Sequence, residues 1–301
     1  MKYLFIVLLS AVQYTYACDF CGSSSNLSNV DVVGTEMQSF ISASMMYKKF
    51  EFKDVESSVQ NSHMMTNLLQ GSYAPKSWVD MRINLPLIWL KNNYFENNTS
   101  FSEKKIALGD IQLLSNITVW QKQKTNAKKI YQKLNLGLGI ELPTGKKLNS
   151  NYDILQNINF GSQSVDFLFN ALYLISIKNW NIVQQAQTKI NTYNQDKFKY
   201  GNNYAYQFLV NYIFYIKKSN ITPAMSTRVD IASKNLNNNI IQSKSGLWLW
   251  SMQVGVEWKK NNYHLGCMIQ QPIMQNTSNK LMQQKTLTNI YFKYLIKRNK
   301  K

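Results

Sequence analysis

Apolar and polar side chains alternate along most of this chain with a repeat of two residues. The clearest stretch sets Val79, Met81, Ile83, Leu85 and Leu87 against Trp78, Asp80, Arg82 and Asn84. A repeat of two indicates extended backbone, with one face in an apolar medium and the other in a polar one. The same alternation returns over residues 134–142, 221–231 and 248–259. The pattern therefore predicts an all-β protein.

Turn signals divide the chain into about twelve antiparallel strands. Their approximate ranges are 37–50, 63–74, 77–90, 110–121, 130–143, 164–177, 180–193, 202–217, 220–234, 247–260, 262–274 and 285–297. The predicted connections alternate between tight turns, as at 178–179 and 261–262, and long segments at 91–109, 144–163 and 235–246. This alternation is typical of bacterial outer-membrane barrels. Eleven or fourteen strands remain alternatives, because residues 51–73 are the least periodic part.

Aromatic residues distinguish a membrane barrel from a soluble β-sandwich. They lie near the ends of the predicted strands, at Trp78, Trp89, Tyr200, Tyr215, Trp248, Trp258, Tyr291 and Tyr294. A sandwich buries its apolar face, whereas a transmembrane barrel exposes that face to lipid and adds aromatic girdles at the water boundaries. We therefore predict an antiparallel transmembrane β-barrel, whose twelve strands would enclose more space than side chains alone fill.

The N-terminus has the features of a secretory signal over residues 1–17. Lys2 is followed by an apolar stretch at 4–12 and a small-residue cleavage site at 15–17. Residues 18–36 would then form a periplasmic segment or a partial plug, and residues 37–301 the barrel. Export across the inner membrane together with membrane-spanning strands predicts the bacterial outer membrane.

The chain carries 34 Lys and Arg residues against 16 Asp and Glu residues, a formal net charge of +18. The lysines are scattered through turns and loops without a basic helix, so we expect no nucleic-acid partner. The partners that we expect instead are membrane lipids and lipopolysaccharide, the barrel-assembly machinery and a small-molecule solute.

The cysteines permit several readings. Cys18 and Cys21 form a C-x-x-C that can close a disulfide in the periplasm, serve as a redox pair, or supply half a metal site. Cys18 can alternatively be acylated after signal cleavage. Cys267 shares its parity with Leu265 and Ile269 and is predicted to be an apolar wall residue. Because no second pair completes a metal site, we predict no metal and no cofactor.

Charged residues on the inward parity are the candidates for lining the barrel lumen. They are Asp80, Arg82, Lys133, Glu141, Asp166, Lys189, Arg228, Asp230, Glu257, Lys259 and Lys293. Such charges either brace the wall as ion pairs or select the solutes that pass. Because both signs are interspersed, bracing is the favoured interpretation.

No catalytic constellation is evident, since the chain has only two histidines, His63 and His264. His264 could in principle face Ser251 across a hairpin, but no motif marks a nucleophile. We therefore predict a protein that is not an enzyme. A structural or adhesive surface protein with an inert lumen is the alternative to a transporter.

Several short motifs carry a resemblance to a known family. They are Cys18-Asp19-Phe20-Cys21-Gly22, Leu108-Gly109-Asp110-Ile111, Glu141-Leu142-Pro143-Thr144-Gly145-Lys146, Gly161-Ser162-Gln163-Ser164-Val165-Asp166-Phe167 and Lys199-Tyr200-Gly201-Asn202. With them the chain resembles the Bacteroidetes outer-membrane "transporter" family, related to the phenol-degradation meta-pathway MetA-like and fatty-acid-channel-like outer-membrane proteins. The resemblance implies an outer-membrane barrel that moves small molecules. It departs from the family pattern at Ser23, where a third cysteine is usual.

Two of these motifs, Gly109-Asp110 and Pro143-Thr144-Gly145, fall at predicted junctions between strands and loops. Gly and Pro set turns there, while Asp and Thr can bond free backbone groups. A structural role is thus the first interpretation, and contact with a ligand at the outer mouth is the second.

Overall fold

The computed structural model describes residues 37–53, 59–96, 99–124, 130–146 and 160–296. The predicted signal sequence, the 18–36 segment and the pair Cys18 and Cys21 lie outside these residues. Within the described ranges, no helix is long and apolar enough to cross a membrane.

Seventeen strands make up the regular structure of the described residues. They are β1 (Phe40–Phe52), β2 (Val59–Lys76), β3 (Val79–Glu96), β4 (Thr99–Leu108), β5 (Ile111–Lys124), β6 (Ile130–Leu142), β7 (Asp166–Ile177), β8 (Trp180–Ile190), β9 (Phe198–Lys199), β10 (Asn203–Tyr212), β11 (Phe214–Ile216), β12 (Ser219–Ala232), β13 (Leu236–Asn237), β14 (Ile240–Ile241), β15 (Leu247–Lys260), β16 (Tyr263–Thr277) and β17 (Met282–Leu295).

The strands close into one antiparallel cylinder. Each wall strand pairs with its sequence neighbour, and β1 pairs with β17 to complete the ring. Strands β4 and β5 together occupy one position in the wall beside β3, and β10 and β11 together occupy one beside β12. The wall thus has twelve strands, which confirms the predicted fold class. Strands β9, β13 and β14 form a separate three-stranded sheet in the connections.

The predicted loop at 91–109 is wrong. Strand β3 continues to Glu96, and β4 returns beside it from Thr99 to Leu108 as the second half of a hairpin. The pattern did not reveal this hairpin because residues 91–93, Lys-Asn-Asn, are polar on both faces, so the alternation ends although backbone pairing continues. The predicted long segment at 235–246 also contains two short strands, β13 and β14.

The two faces of the wall have opposite polarity. Met81 and Leu138 on the outer face are 55% and 64% exposed, whereas the neighbouring inward residues Asp80 and Glu141 are 1% and 0% exposed. A soluble sandwich would have this arrangement reversed. The outward apolar face is too extensive for an ordinary soluble surface and suits lipid.

The two ends of the cylinder differ in their connections. At one end, here called the short-turn end, two-residue turns at 77–78, 178–179, 217–218 and 261–262 join the strands. The first and last wall strands also meet there, where Phe40 pairs with Leu295. At the other end, here called the loop end, three connections are long, 143–165, 191–202 and 233–246, whereas 97–98 and 278–281 are short.

An apolar cluster lies on the inner side of the wall at the loop end. It is formed by Phe50, Met64, Ile88, Leu90, Tyr94, Ala107, Phe160, Ala232, Leu247, Leu249 and Met282. Phe160 comes from the 143–165 connection, while the others come from seven of the wall strands. This cluster packs the long connection against the wall.

Gly201 offers a test of the packing between two other long connections, 191–202 and 233–246. A Cβ atom added at Gly201 would lie 1.5 Å from the backbone oxygen of Ser233. We expect Gly201→Ala to lower the free energy of unfolding by about 3 kcal/mol or more, because backbone rather than a side chain must move. Urea unfolding of the refolded barrel in detergent measures the change.

Gly71→Ala is the matched control, since a Cβ there meets only Ile83 Cγ2 at 3.4 Å. Both substitutions reduce the entropy of the unfolded chain alike. Gly71→Ala should stay within about 0.5 kcal/mol of the wild type. Equal effects of the two substitutions would contradict the packing described at Gly201.

Candidate functional site: the barrel interior

A chain of hydrogen-bonded side chains crosses the inner face from β1 to β6. Ser42 donates to Gln70 Oε1 at 3.3 Å, and the Gln70 amide donates to Asn84 Oδ1 at 2.8 Å. The Asn84 amide donates to Gln112 Oε1 at 3.0 Å, and Gln112 donates to Glu141 Oε2 at 2.7 Å. All five side chains are buried. We call this chain the first polar ladder.

The first polar ladder ends in an ionic cluster. Lys189 Nζ lies 2.5 Å from Glu141 Oε1 and 3.4 Å from Asp166 Oδ2. Lys189 is 3% exposed, and both carboxylates are fully buried. The alternating strands β6, β7 and β8 place these side chains on one face at the loop end. A buried lysine between two carboxylates balances charge that would otherwise be costly inside the wall.

A second polar ladder crosses the opposite part of the wall, from β10 to β16. Gln253 Oε1 accepts from Ser226 at 2.6 Å and from Gln207 at 2.7 Å. The Gln253 amide donates to Gln270 Oε1 at 2.9 Å, and Gln270 donates to Ser251 Oγ at 2.9 Å. These amides bond one another across strands, while Gln207 Oε1 is buried without a hydrogen-bond partner among the described residues.

Two arginine–aspartate pairs lie beside the ladders, one on β3 and one on β12. Arg82 donates to Asp80 Oδ2 at 2.6 Å, and Asn116 donates to Asp80 Oδ1 at 2.6 Å. Arg228 donates through Nε and Nη2 to Asp230, at 2.7–2.9 Å. In each pair the two residues are two positions apart on one strand and hence on the same face.

The remaining predicted lining residues are also on the inner parity. Lys133 is 2% exposed, Lys293 is 4% exposed, and Lys259 is half-buried. Lys293 Nζ lies 4.5 Å from the ring centroid of Phe40, and Arg82 lies 5.6 Å from the same centroid on the other side. Burial is thus known for all eleven candidates, but their part in solute passage stays a prediction.

The contact between His264 and Ser251 that catalysis would need is not formed. Ser251 pairs with Pro272, whereas His264 pairs with Lys259, which is eight residues from Ser251 along β15. Instead, His264 Nδ1 lies 3.4 Å from Glu257 Oε1, and Tyr291 donates to Glu257 Oε2 at 2.5 Å. The register of the β15–β16 hairpin therefore separates the proposed nucleophile from its base.

The amides of both ladders were missed by the sequence analysis, which considered only charges on the inner parity. These residues are Gln70, Asn84, Gln112, Gln207, Gln253 and Gln270. The parity that identified Asp80 and Glu141 also applies to them. Which amide meets which depends on the stagger between strands, and the alternation of one strand does not contain that information.

Asp110 connects three of the motifs that carry the family resemblance, and it does so at the loop end. Its carboxylate accepts from the Gly145 amide at 2.7 Å, the Ser162 amide at 2.5 Å and Ser162 Oγ at 3.0 Å. Thr144 Oγ1 accepts from the Ile111 amide at 2.9 Å. These contacts join both ends of the 143–165 connection to the break between β4 and β5.

The comparisons with known proteins concern the fold. No protein-family model and no curated protein sequence matches the chain. An outer-membrane channel from Pseudomonas putida F1 is similar in structure, with a TM-score of 0.57 and 10% identity; the match covers 86% of this chain and 96% of that one. The β domain of the Bordetella autotransporter BrkA has a TM-score of 0.52 and 8% identity, covering 86% of this chain and 100% of that domain.

The fold, the outward apolar face and these likenesses define a class. The protein has the fold of the bacterial outer-membrane β-barrels. At such low identity, the likeness establishes the fold alone.

Replacing Asp110 tests its role as an anchor. Asp110→Asn removes the charge from three hydrogen bonds, and we expect a loss of about 1.5–3 kcal/mol in local stability, because bonds to a carboxylate are the stronger kind. Hydrogen exchange at the Gly145 and Ser162 amides should become roughly tenfold faster or more. Asp196→Asn is the control, since Asp196 is exposed; unchanged exchange in Asp110→Asn would contradict the anchor.

The ionic cluster can be tested by a double-mutant cycle. Lys189→Met leaves Glu141 and Asp166 buried without their cation, so we expect a loss of about 3–5 kcal/mol in the free energy of unfolding. Adding Glu141→Gln to Lys189→Met should recover part of this loss. Additive effects in urea unfolding would show that the two residues are not coupled.

Proposed function

We propose that this protein is an outer-membrane channel for small molecules. The observation that supports this proposal most directly is the polarity of the wall. Its apolar outer face suits lipid, and its inner face consists of charged and amide side chains. A twelve-stranded wall encloses more space than an eight-stranded one, whose interior side chains just fill it. The location in the outer membrane after export, and the assembly by a barrel-assembly machinery, belong to this proposal.

The solute preference that the interior favours is anionic. The inward cations are Lys48, Arg82, Lys133, Lys189, Arg228, Lys259 and Lys293, and the inward anions are Asp80, Asp110, Glu141, Asp166, Asp230 and Glu257. Cations outnumber anions, and rings of charged side chains set the sign of the ions that a pore admits. The resemblance to the MetA-like barrels, and the structural likeness to the outer-membrane channel of Pseudomonas putida, support transport without fixing the solute.

A structural or adhesive role is the second candidate, and the hairpin of β3 and β4 favours it. Among the described strands, β4 pairs only with β3. Tyr94 and Phe101 stack across this hairpin at a centroid distance of 4.9 Å, and Phe101 is 50% exposed. A hairpin of this kind at the loop end could contact another surface. We propose no catalytic activity, since His264 and Ser251 are far apart in the register.

Conductance of the refolded protein in planar bilayers tests the proposal. We expect channels that pass small ions, with a reversal potential in a KCl gradient that indicates a preference for chloride. Lys259→Gln should move the reversal potential toward zero, because Lys259 is on the inner face. Lys260→Gln is the matched control, since Lys260 is the next residue and lies exposed on the outer face.

Liposome swelling with neutral sugars separates the two candidate functions. Entry of small sugars supports a channel. A bilayer that stays sealed to ions and sugars, with the barrel correctly inserted, would contradict the channel and support the structural role.

A further inference from the structure

A ring of exposed lysines surrounds the short-turn end of the barrel. The ring consists of Lys76, Lys122, Lys178, Lys217, Lys218 and Lys260, and we call it the lysine ring. Its members come from the ends of β2, β5 and β15 and from the turns at 178–179 and 217–218. They are thus spread around the perimeter rather than gathered in one patch.

Each part of the lysine ring has an exposed aromatic residue beside it. These are Trp78, Trp120, Trp180, Tyr215 and Trp258, between 39% and 65% exposed. Lys76 Nζ lies 5.3 Å from the ring centroid of Trp78. Aromatic residues of this kind mark the boundary between hydrocarbon and head groups. The lysines therefore lie at the depth of lipid phosphates.

No exposed carboxylate accompanies the lysine ring within the described part of the chain. The acidic residues of the wall at this end, Asp80 and Glu257, are buried inside. The exposed or half-exposed acidic residues, Glu51, Glu103 and Asp196, all belong to the loop end. The charge of the lysine ring is thus not neutralised by neighbouring side chains.

Two of the lysines occupy backbone positions that suit other residues better. Lys178 and Lys217 are the first residues of two-residue turns and have φ angles of 54° and 50°. Asn261 holds the corresponding position of the 261–262 turn, with a φ of 54°. Glycine and asparagine adopt this left-handed conformation most easily. Lys197 and Lys280 at the loop end share it, so the conformation is not specific to the lysine ring.

We propose that the lysine ring binds the phosphate groups of anionic phospholipids in the membrane leaflet at the short-turn end. Lysine stems can lie along the apolar wall while their ammonium groups reach the head groups. Each lysine near an anionic surface contributes roughly a fivefold preference. Separate small head groups fit a charge spread around the perimeter, whereas a single acidic protein would contact only part of it. This inference rests on the membrane location proposed above, but not on channel activity.

Quenching of Trp180 fluorescence by brominated lipids tests the proposal. In a full-length chain whose other tryptophans are replaced by phenylalanine, Trp180 reports on the lipid beside Lys178, Lys217 and Lys218. The probes are brominated phosphatidylglycerol and brominated phosphatidylcholine in vesicles. We expect phosphatidylglycerol to bind beside Trp180 about threefold or more tightly, and high salt to reduce the preference.

The key variant combines Lys178→Gly, Lys217→Gly and Lys218→Gln. Glycine relaxes the backbone at the first two positions, so loss of the preference would come from lost charge rather than from a damaged turn. We expect the two lipids to bind about equally in this variant. Lys91→Gln is the control, because Lys91 is exposed on β3 away from the ring; it should leave the preference unchanged.

The outcomes separate this inference from the proposed function. Equal quenching by both lipids in the wild-type ring overturns the lipid preference while leaving membrane insertion intact. Absence of quenching by either lipid overturns the membrane location itself. If the single-tryptophan chain does not refold, the ratio of the two lipids retained in mixed nanodiscs by the native sequence and by the triple variant decides the question. An unchanged ratio in the triple variant overturns the proposal.

Discussion

Closure of the backbone hydrogen-bond ladder is the constraint on which the rest of this structure depends. In hydrocarbon a strand has no water to bond its amides and carbonyls, so a sheet can cross only when its edges meet. Here β1 bonds β17 along nearly its whole length, from the pair Phe40 and Leu295 to the pair Phe52 and Met282. The backbone amides and carbonyls of each wall strand bond two neighbouring strands. One face of the closed wall therefore surrounds the interior and the other faces outward, and the two faces differ in polarity.

Three of the irregularities of the wall coincide with prolines. Pro86 lies opposite the break between β4 and β5, and Pro223 lies opposite the break between β10 and β11. Pro272 lies at the register shift beside Trp250 and Ser251. Proline has no amide to donate, so the partner strand breaks or bulges where a bond would be missing. Gly109 and Ile213, at two of these breaks, donate instead to the carbonyls of Pro86 and Asn179.

The sequence alone allowed the strands to be predicted far better than their partners. Inner and outer faces followed from parity, since one face must be polar and the other apolar throughout. Parity gave no strand signal where both faces are polar, as at Lys91. The hairpin of β3 and β4 was therefore not predicted. It also could not pair His264 with Glu257 rather than Ser251, because the stagger between neighbouring strands decides which inward residues meet.

The contacts of Asp110 that anchor the 143–165 connection at the loop end could be predicted only in part from the sequence, for the same reason. Asp110 and Thr144 were recognised as turn residues. The contacts of Asp110 with Gly145 and of Thr144 with Ile111, however, join segments more than thirty residues apart. Gly145 and Gly161 are explained by that packing as well, since a Cβ on either would meet the other's Cα at 2.7 Å. Local sequence identifies such residues as special without showing what they approach.

In the channel proposed above, the surfaces that line the barrel would limit what can pass. A solute entering at the loop end would meet both the apolar cluster around Phe50, Ile88 and Leu249 and the ionic cluster of Lys189, Glu141 and Asp166. Apolar contact at an entrance favours solutes with an apolar part, while the amides and cations farther along favour a polar or anionic group. The amides of the ladders already bond other side chains, while the buried Gln207 Oε1 has no hydrogen-bond partner in the described part of the chain, so a solute in the proposed channel would mainly have to exchange existing bonds. Such exchange would favour small solutes that carry both an apolar body and a hydrogen-bonding group.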